Sequence, residues 1–156
     1  MVDVVDTVTR SRMMAGIKGK NSSPELTIRK ALHARGFRYR IHVSNLPGKP
    51  DLVLSKYKAA VFIHGCFWHG HNCRYFKLPG TRPEFWQEKI SKNRARDEQQ
   101  LMLLRSSGWR VLIIWECAIR EMKKSRSTVL IETVADWIVT NSQFLEVKEG
   151  LLPPSV

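Results

Sequence analysis

A β-branched apolar run that turns at a glycine straight into cysteines and histidines restricts this chain more than any other feature. The stretch is Val61-Phe62-Ile63-His64-Gly65-Cys66-Phe67-Trp68-His69-Gly70-His71-Asn72-Cys73. Its first half reads as a buried strand. Its second half crowds metal-capable side chains and two adjacent aromatics into one loop. Neither core packing nor a solvated loop asks for that mixture. The loop must be fixed to other parts of the chain by ligation or hydrogen bonding.

The segments around it read as a mixed α/β pattern. Ser22-Ser23-Pro24-Glu25 is a helix start: a serine N-cap, proline in the first turn and an early acid. Leu26, Ala31 and Leu32 form the expected buried stripe, and Gly36 the stop. Tyr39 to Val43 alternates as a strand with one wet face. After the turn cluster Asn45 to Pro50, Asp51 to Leu54 and Ala59 to His64 read as a hairpin. A long helix follows over 84–106, with Phe85, Trp86, Ile90, Leu101 and Leu104 as its apolar positions. Arg110 to Trp115 is a continuous apolar run, the pattern of a strand buried on both faces. Ser127 or Thr128 caps a last helix running to about Thr140. The order is helix, three strands, helix, strand, helix, a mixed sheet with helices on its faces. No Gly-rich phosphate loop follows a strand, so a doubly wound nucleotide fold is excluded. The expected organisation is a single domain over 1–156, with a basic arm over 1–20 and a tail over 141–156 that frays.

Charge narrows the partner. Lys and Arg total 26 against 14 Asp and Glu, a net charge of +12, which suits a phosphate-rich partner through counterion release. No apolar run is long enough for a membrane span and no signal peptide is evident. The expectation is a cytoplasmic protein, monomeric, with no membrane partner. The 3 cysteines are an odd number in such a chain, which argues against a disulfide framework and for metal ligation or free thiols.

Three constellations carry chemistry. Cys66, His71, Cys73 and the distant Cys117 form a candidate Cys₃His structural zinc site; the alternative is three inert thiols and a surface histidine. Asp51 can supply an oxygen ligand for Mg²⁺ and His69 can activate water near His64, with Glu25 and Asp97 as auxiliary carboxylates. Each of those carboxylates also has an ordinary explanation, as a helix-terminal charge, a solvated helix position or a turn cap. Phe67, Trp68 and Trp86 are either apolar wedges for base steps or a small core over the metal loop.

The motifs together resemble the very short patch repair (Vsr) DNA mismatch endonuclease family. The resemblance rests on Leu46-Pro47-Gly48-Lys49-Pro50-Asp51 followed by Phe62-Ile63-His64-Gly65-Cys66-Phe67-Trp68-His69-x-His71-x-Cys73. It continues through Thr81-Arg82-x-Glu84-Phe85-Trp86-x-Glu88-Lys89-Ile90-x-Lys92-Asn93 and Gly108-Trp109-Arg110-Val111-Leu112-Ile113-x-Trp115-Glu116-Cys117-Ala118, and includes Thr9-Arg10-Ser11-x-x-Met14. It implies a restriction-endonuclease-like core and nicking of DNA on the 5′ side of thymine in a T:G mismatch left by 5-methylcytosine deamination. It also implies roles: Asp51 and the backbone carbonyl of Ile63 on Mg²⁺, His69 as the water-activating base oriented by Asp97, and Glu25 and His64 assisting. Cys66, His71, Cys73 and Cys117 would hold Zn²⁺. Phe67, Trp68 and Trp86 would wedge in from the major groove and Met14 from the minor groove, with Lys89 and Asn93 at the mispaired bases. The wider nuclease superfamily carries an acidic-x-Lys where this chain has Phe62-Ile63-His64, a departure the repair family shares. Ile63 and Gly70 differ from the residues of some relatives. The partner implied is double-stranded DNA with a T:G mismatch, and possible further partners are other DNA repair proteins. Readings from other classes are a zinc-stabilised DNA-binding protein without catalysis and a general restriction-type nuclease.

Overall fold

Two parallel strands buried on both faces decide where everything else sits. The computed structural model describes residues 22–150. Its elements are α1 (Ser23–Ala34), β1 (Leu52–Leu54), a 3₁₀ turn (Ser55–Tyr57), β2 (Ala59–His64), α2 (Pro83–Ser106), β3 (Arg110–Trp115), α3 (Glu116–Ser125), α4 (Val129–Val139) and β4 (Phe144–Val147). The sheet order is β1-β2-β3-β4. β1 and β2 are antiparallel, whereas β2–β3 and β3–β4 are parallel.

Every residue of β3 is buried, and successive side chains serve opposite faces. Val61, Leu112 and Ile114 join Ile28, Leu32, Leu130 and Ile138 in one core, beneath α1, α3 and α4. Phe62, Val111, Ile113 and Trp115 join Leu104, Cys66 and Cys117 in the other, beneath α2 and the cysteine loop. Fully burying each large aliphatic side chain contributes about 1.5–3 kcal/mol, so both faces of the sheet are committed. The parallel pair ends at His64 opposite Trp115, which delivers the His/Cys loop to the carboxyl edge of the sheet, where open α/β sheets collect ligands.

Arg110 fastens the opposite edge. Its guanidinium donates to the carbonyls of Ser142 (2.9 Å), Ile138 (2.9 Å), Trp137 (2.6 Å) and Tyr57 (3.3 Å) and lies 4.2 Å from the Trp137 ring centroid. It thereby satisfies carbonyls at the C-terminus of α4, where a cation also meets the favourable end of the helix dipole.

Several expectations are corrected. Tyr39 to Val43 is not a strand: only Arg40 bridges to Val53, because His42 adopts a left-handed φ of 57° and ends the extended run. Leu26 is 40% exposed, and Ile28 takes the core position on α1. Phe85 is 43% exposed, so the buried side of α2 rests on Ile90 and Leu104. Ser22 sits at the N-cap, but its hydroxyl donates to Glu25 Oε1 at 3.3 Å instead of accepting a helix N–H. α3 was not anticipated. The expected frayed tail contains β4, whose pairing with β3 orders 144–147. Among the described residues no helix is long and apolar enough to cross a membrane. Met14 and the rest of the basic arm lie outside the described residues, as do residues 151–156.

Replacing Arg110 by methionine leaves several buried carbonyls without a donor. The Arg110→Met variant is expected to lose about 2–4 kcal/mol of unfolding free energy, read as a lower urea midpoint. An unchanged midpoint would show that those carbonyls find other partners.

Candidate active site and metal centre

Glu25 from α1, Asp51 ahead of β1, Ile63 and His64 from β2, His69 from the loop and Asp97 from α2 all line one cavity of about 210 Å³. Every residue expected on cleavage chemistry is therefore brought together. Asp51 is fixed from two directions: Oδ2 accepts the Ile63 N–H at 2.7 Å, and its own N–H donates to the Val61 carbonyl at 2.9 Å. Burial, opposed by the Ile63 N–H and reinforced by the adjacent Glu25, pushes the Asp51 carboxyl up to about 7. Glu25 is itself buried and accepts from Arg29 at 2.8 Å. Arg29 was overlooked in the sequence, although its spacing four residues from Glu25 is the signature of a helix ion pair.

The two histidines stack, with ring centroids 3.8 Å apart and planes 5° from parallel. His69 Nδ1 lies 2.5 Å from Asp97 Oδ2. With the proton on Nδ1 in that bond, Nε2 is the basic nitrogen. Burial, then the neighbouring His69, pulls the His64 imidazole down to about 3, so it is neutral across the working range. Its Nδ1 is buried without a hydrogen-bond partner among the described residues, an acceptor or donor left for something bound.

Behind the stack, Trp115 meets His64 and His69 edge-on at 5.2 and 6.2 Å and lies face to face with His71 at 4.2 Å. Its indole N–H donates to Glu146 of β4 at 2.5 Å. One indole thus touches both the cavity histidines and the cysteine cluster. Trp115 was read only as the end of a buried strand, and Glu146 did not stand out because β4 itself was missed.

Ligand atoms of Cys66, His71, Cys73 and Cys117 all lie within 4.8 Å of one another. Cys117 Sγ and His71 Nδ1 are 3.6 Å apart, which is the separation that bonds of about 2.3 and 2.0–2.1 Å at a tetrahedral angle require. The donor set fits zinc. Hydrogen bonding from Cys66 pulls the Cys117 thiol down to about 6, while the same contact and burial push Cys66 up. The Glu149 N–H points at Cys117 Sγ at 3.4 Å. Glu149 also accepts from the Arg74 N–H at 3.0 Å and Nε at 2.9 Å, binding the loop to the segment after β4. His64, His69 and Asp97 also lie close enough to share an ion; the His69–Asp97 hydrogen bond and the ring stacking suit proton transfer better.

The aromatic residues form a small cluster, the second of the two readings the sequence left open. Phe67, Trp68 and Trp86 are half-buried and pack on one another at 5.1–6.0 Å, yet each keeps exposed surface beside the cavity loop. Asn93 donates to the Trp68 carbonyl at 3.0 Å, and Lys89 is exposed on α2. Gly70 proves structural: its φ is 64°, and a Cβ there would stand 2.5 Å from Ile90 Cγ2. Loop and helix can approach this closely only with glycine.

The family described as DNA mismatch endonuclease Vsr matches residues 2–75. The DNA mismatch endonuclease Vsr of Escherichia coli (strain K12) is 44% identical over 138 residues, covering 88% of each chain. The type II nicking enzyme V.XorIIP of Xanthomonas oryzae pv. oryzae is 41% identical, over 78% of this chain and 90% of its own. The type II nicking enzyme V.NmeAIP of Neisseria meningitidis is 42% identical, over 87% of this chain and 99% of its own. Among solved structures, the homing endonuclease I-Bth0305I catalytic domain superposes with a TM-score of 0.50 at 20% identity, over 77% of this chain and all (100%) of that one. That likeness concerns the fold, a restriction-endonuclease-like core.

Two outcomes follow. An acid whose folded value is raised from 3.8 to about 7 binds more protons folded than unfolded in that window, so it lowers stability as pH rises through it. In metal-free buffer, Asp51→Asn should therefore melt above the wild type at pH 8, with the gap closing as pH falls towards 4. A gap independent of pH would refute that origin. Separately, the purified protein should carry about one zinc per chain and Cys73→Ala should lose both the metal and thermal stability; a metal-free wild type of equal Tm would refute the zinc site.

Proposed function

The chain belongs to the DNA mismatch endonuclease Vsr family, and from that membership we propose that it nicks one strand of duplex DNA on the 5′ side of the thymine in a T:G mismatch. The observation that carries the reading is the arrival of the His69–Asp97 pair on the same cavity as Asp51 and Glu25. A general base, its orienting carboxylate and a hard-cation carboxylate pair are what hydrolysis of a phosphodiester needs.

Asp51, Glu25 and the backbone carbonyl of Ile63 would hold Mg²⁺. The fit rests on the donor set: a buried carboxylate beside a second carboxylate, its charge only partly offset by one backbone N–H, suits a hard divalent cation. When bound, that ion polarises phosphate oxygens and lowers the cost of forming hydroxide from water.

The chain's own residues do the rest. His69 takes the proton from the attacking water at Nε2 while Asp97 holds the ring and offsets the charge it gains. His64, neutral and stacked on His69, lets that charge form without a second cation beside it. The Cys66, His71, Cys73 and Cys117 cluster keeps the loop rigid as a structural zinc site. Phe67, Trp68 and Trp86 insert beside the mispair, and Lys89 and the neighbourhood of Asn93 meet its bases. A net charge of +12 supplies the non-specific attraction to the duplex.

The test is a nicking assay with Mg²⁺ on matched pairs of T:G and T:A duplexes, each strand end-labelled in turn. Cutting is expected on the thymine strand of T:G only, and His69→Ala is expected to slow it by roughly 10²–10⁴-fold without unfolding the protein. Equal cutting of T:A, or double-strand breaks, would favour a general nuclease, and tight binding without cutting a DNA-binding protein.

A further inference from the structure

The cavity's charges do not balance. Glu25, Asp51 and Asp97 line it, and the sole lysine or arginine among its lining residues is Lys49. A neighbouring cavity of about 170 Å³ is lined by Glu25, Lys49 and Asp51 as well, so Lys49 borders both spaces beside the carboxylate pair. β2 brings no basic side chain there: it presents Phe62, Ile63 and His64, and His64 is neutral. Arg29 is held by Glu25 at 2.8 Å, whereas the Lys49 ammonium makes no hydrogen bond or ion pair among the described residues. Among the described residues, a phosphodiester entering this space meets carboxylates and the uncommitted Lys49.

The backbone at Lys49 is tightly constrained. Lys49 has φ 49° and follows Gly48 at φ 76°, and a non-glycine residue in the left-handed region is strained. The turn is closed by the Lys49 N–H donating to the Leu46 carbonyl at 3.1 Å. It is wedged in place as well, since a Cβ on Gly48 would stand 3.1 Å from the Phe62 ring and 3.2 Å from Gln100 Cβ. Strain of this kind persists where the surroundings over-determine it. Here the surroundings are the wall of the site.

We propose that Lys49 is a catalytic residue of the nicking reaction, its ammonium contacting a non-bridging oxygen of the phosphate under attack. This rests on the nicking function stated above. As the bond from water oxygen to phosphorus forms and the bond to the leaving oxygen breaks, negative charge accumulates on the non-bridging oxygens, and a cation fixed beside them favours that state over the ground state. The water proton passes to His69, the leaving oxygen takes a proton from solvent, and Lys49 keeps its own.

The experiment compares wild type, Lys49→Met, Lys49→Gln and Lys49→Arg by single-turnover nicking of the labelled T:G duplex with Mg²⁺. Duplex binding without Mg²⁺ and Tm are measured alongside. Lys49→Met and Lys49→Gln are expected to slow nicking at saturating enzyme by roughly 10²–10³-fold. Their Kd should stay within about threefold of wild type, as for loss of one phosphate contact, and Tm should be unchanged. Lys49→Arg should recover most of the rate. The proposal is overturned if both neutral variants nick at the wild-type rate, if only Kd weakens, or if Lys49→Arg is as slow as Lys49→Met. A wild-type protein that leaves the T:G duplex intact overturns the nicking function and this assignment with it. An active wild type beside a fully active Lys49→Met overturns this assignment alone.

Discussion

The site depends on one loop, residues 65–73, being held at several points. Cys66, His71 and Cys73 face Cys117 near the start of α3, the Trp68 carbonyl is taken by Asn93 of α2, and Gly70 lets the loop close on Ile90. A loop of this length free in solution would sample many conformations, and ordering each residue costs on the order of 1–2 kcal/mol. Ligation, where zinc is bound, concentrates the compensating free energy at a few atoms and leaves the remaining side chains free for other tasks. That is why base, ligands and aromatics can alternate along so short a stretch.

The stacked histidines show how burial divides labour between like groups. Two imidazoles 3.8 Å apart cannot both be charged cheaply. His64 is buried and His69 half-buried, and only His69 has a carboxylate on its nitrogen, at 2.5 Å. The environments separate the pair, and the geometry suits His69 to the proton-accepting role proposed for it. Trp115 maintains the separation by packing edge-on against both rings while its face covers His71. The Cys/His loop and the stacked histidines therefore share a wall.

What could be read in the sequence followed from local signals. β2 and β3 were legible as apolar runs, α1, α2 and α4 from periodicity and their start signals, and the Cys/His cluster from crowding of residue types. β4 was not: it is four residues long, holds Glu146 in its middle, and exists through non-local pairing with β3. α3 begins directly after β3 with no proline, glycine or capping residue to mark the change. The strand expected over 39–43 fails at His42, whose left-handed backbone leaves no trace in residue type. Asp97 was named as an auxiliary carboxylate, but residue type alone left it equally a charge on a polar helix, because its meeting with His69 is set by how α2 crosses the sheet. Lys49 was hidden for the same kind of reason, inside a turn cluster whose φ values the sequence does not display.

Charge at two ranges explains how a strongly basic protein can use an acidic cavity. At long range the net charge of +12 draws in any duplex and carries no sequence information. At short range the carboxylates of Glu25, Asp51 and Asp97 repel a phosphate until cations intervene, so proximity to DNA alone does not produce cleavage. The remaining selectivity has to come from the duplex. In the proposed function, inserting Phe67 and Trp68 would unstack base steps, at a cost of a few kcal/mol per step, and that cost is least where pairing is already imperfect. On that proposal, a mispair would lower the barrier to the deformation that brings the phosphate to the carboxylates. Since 1.4 kcal/mol is about a tenfold factor in an equilibrium, a difference of a few kcal/mol in unstacking is enough to separate mismatched from matched sites without a direct reading of every base.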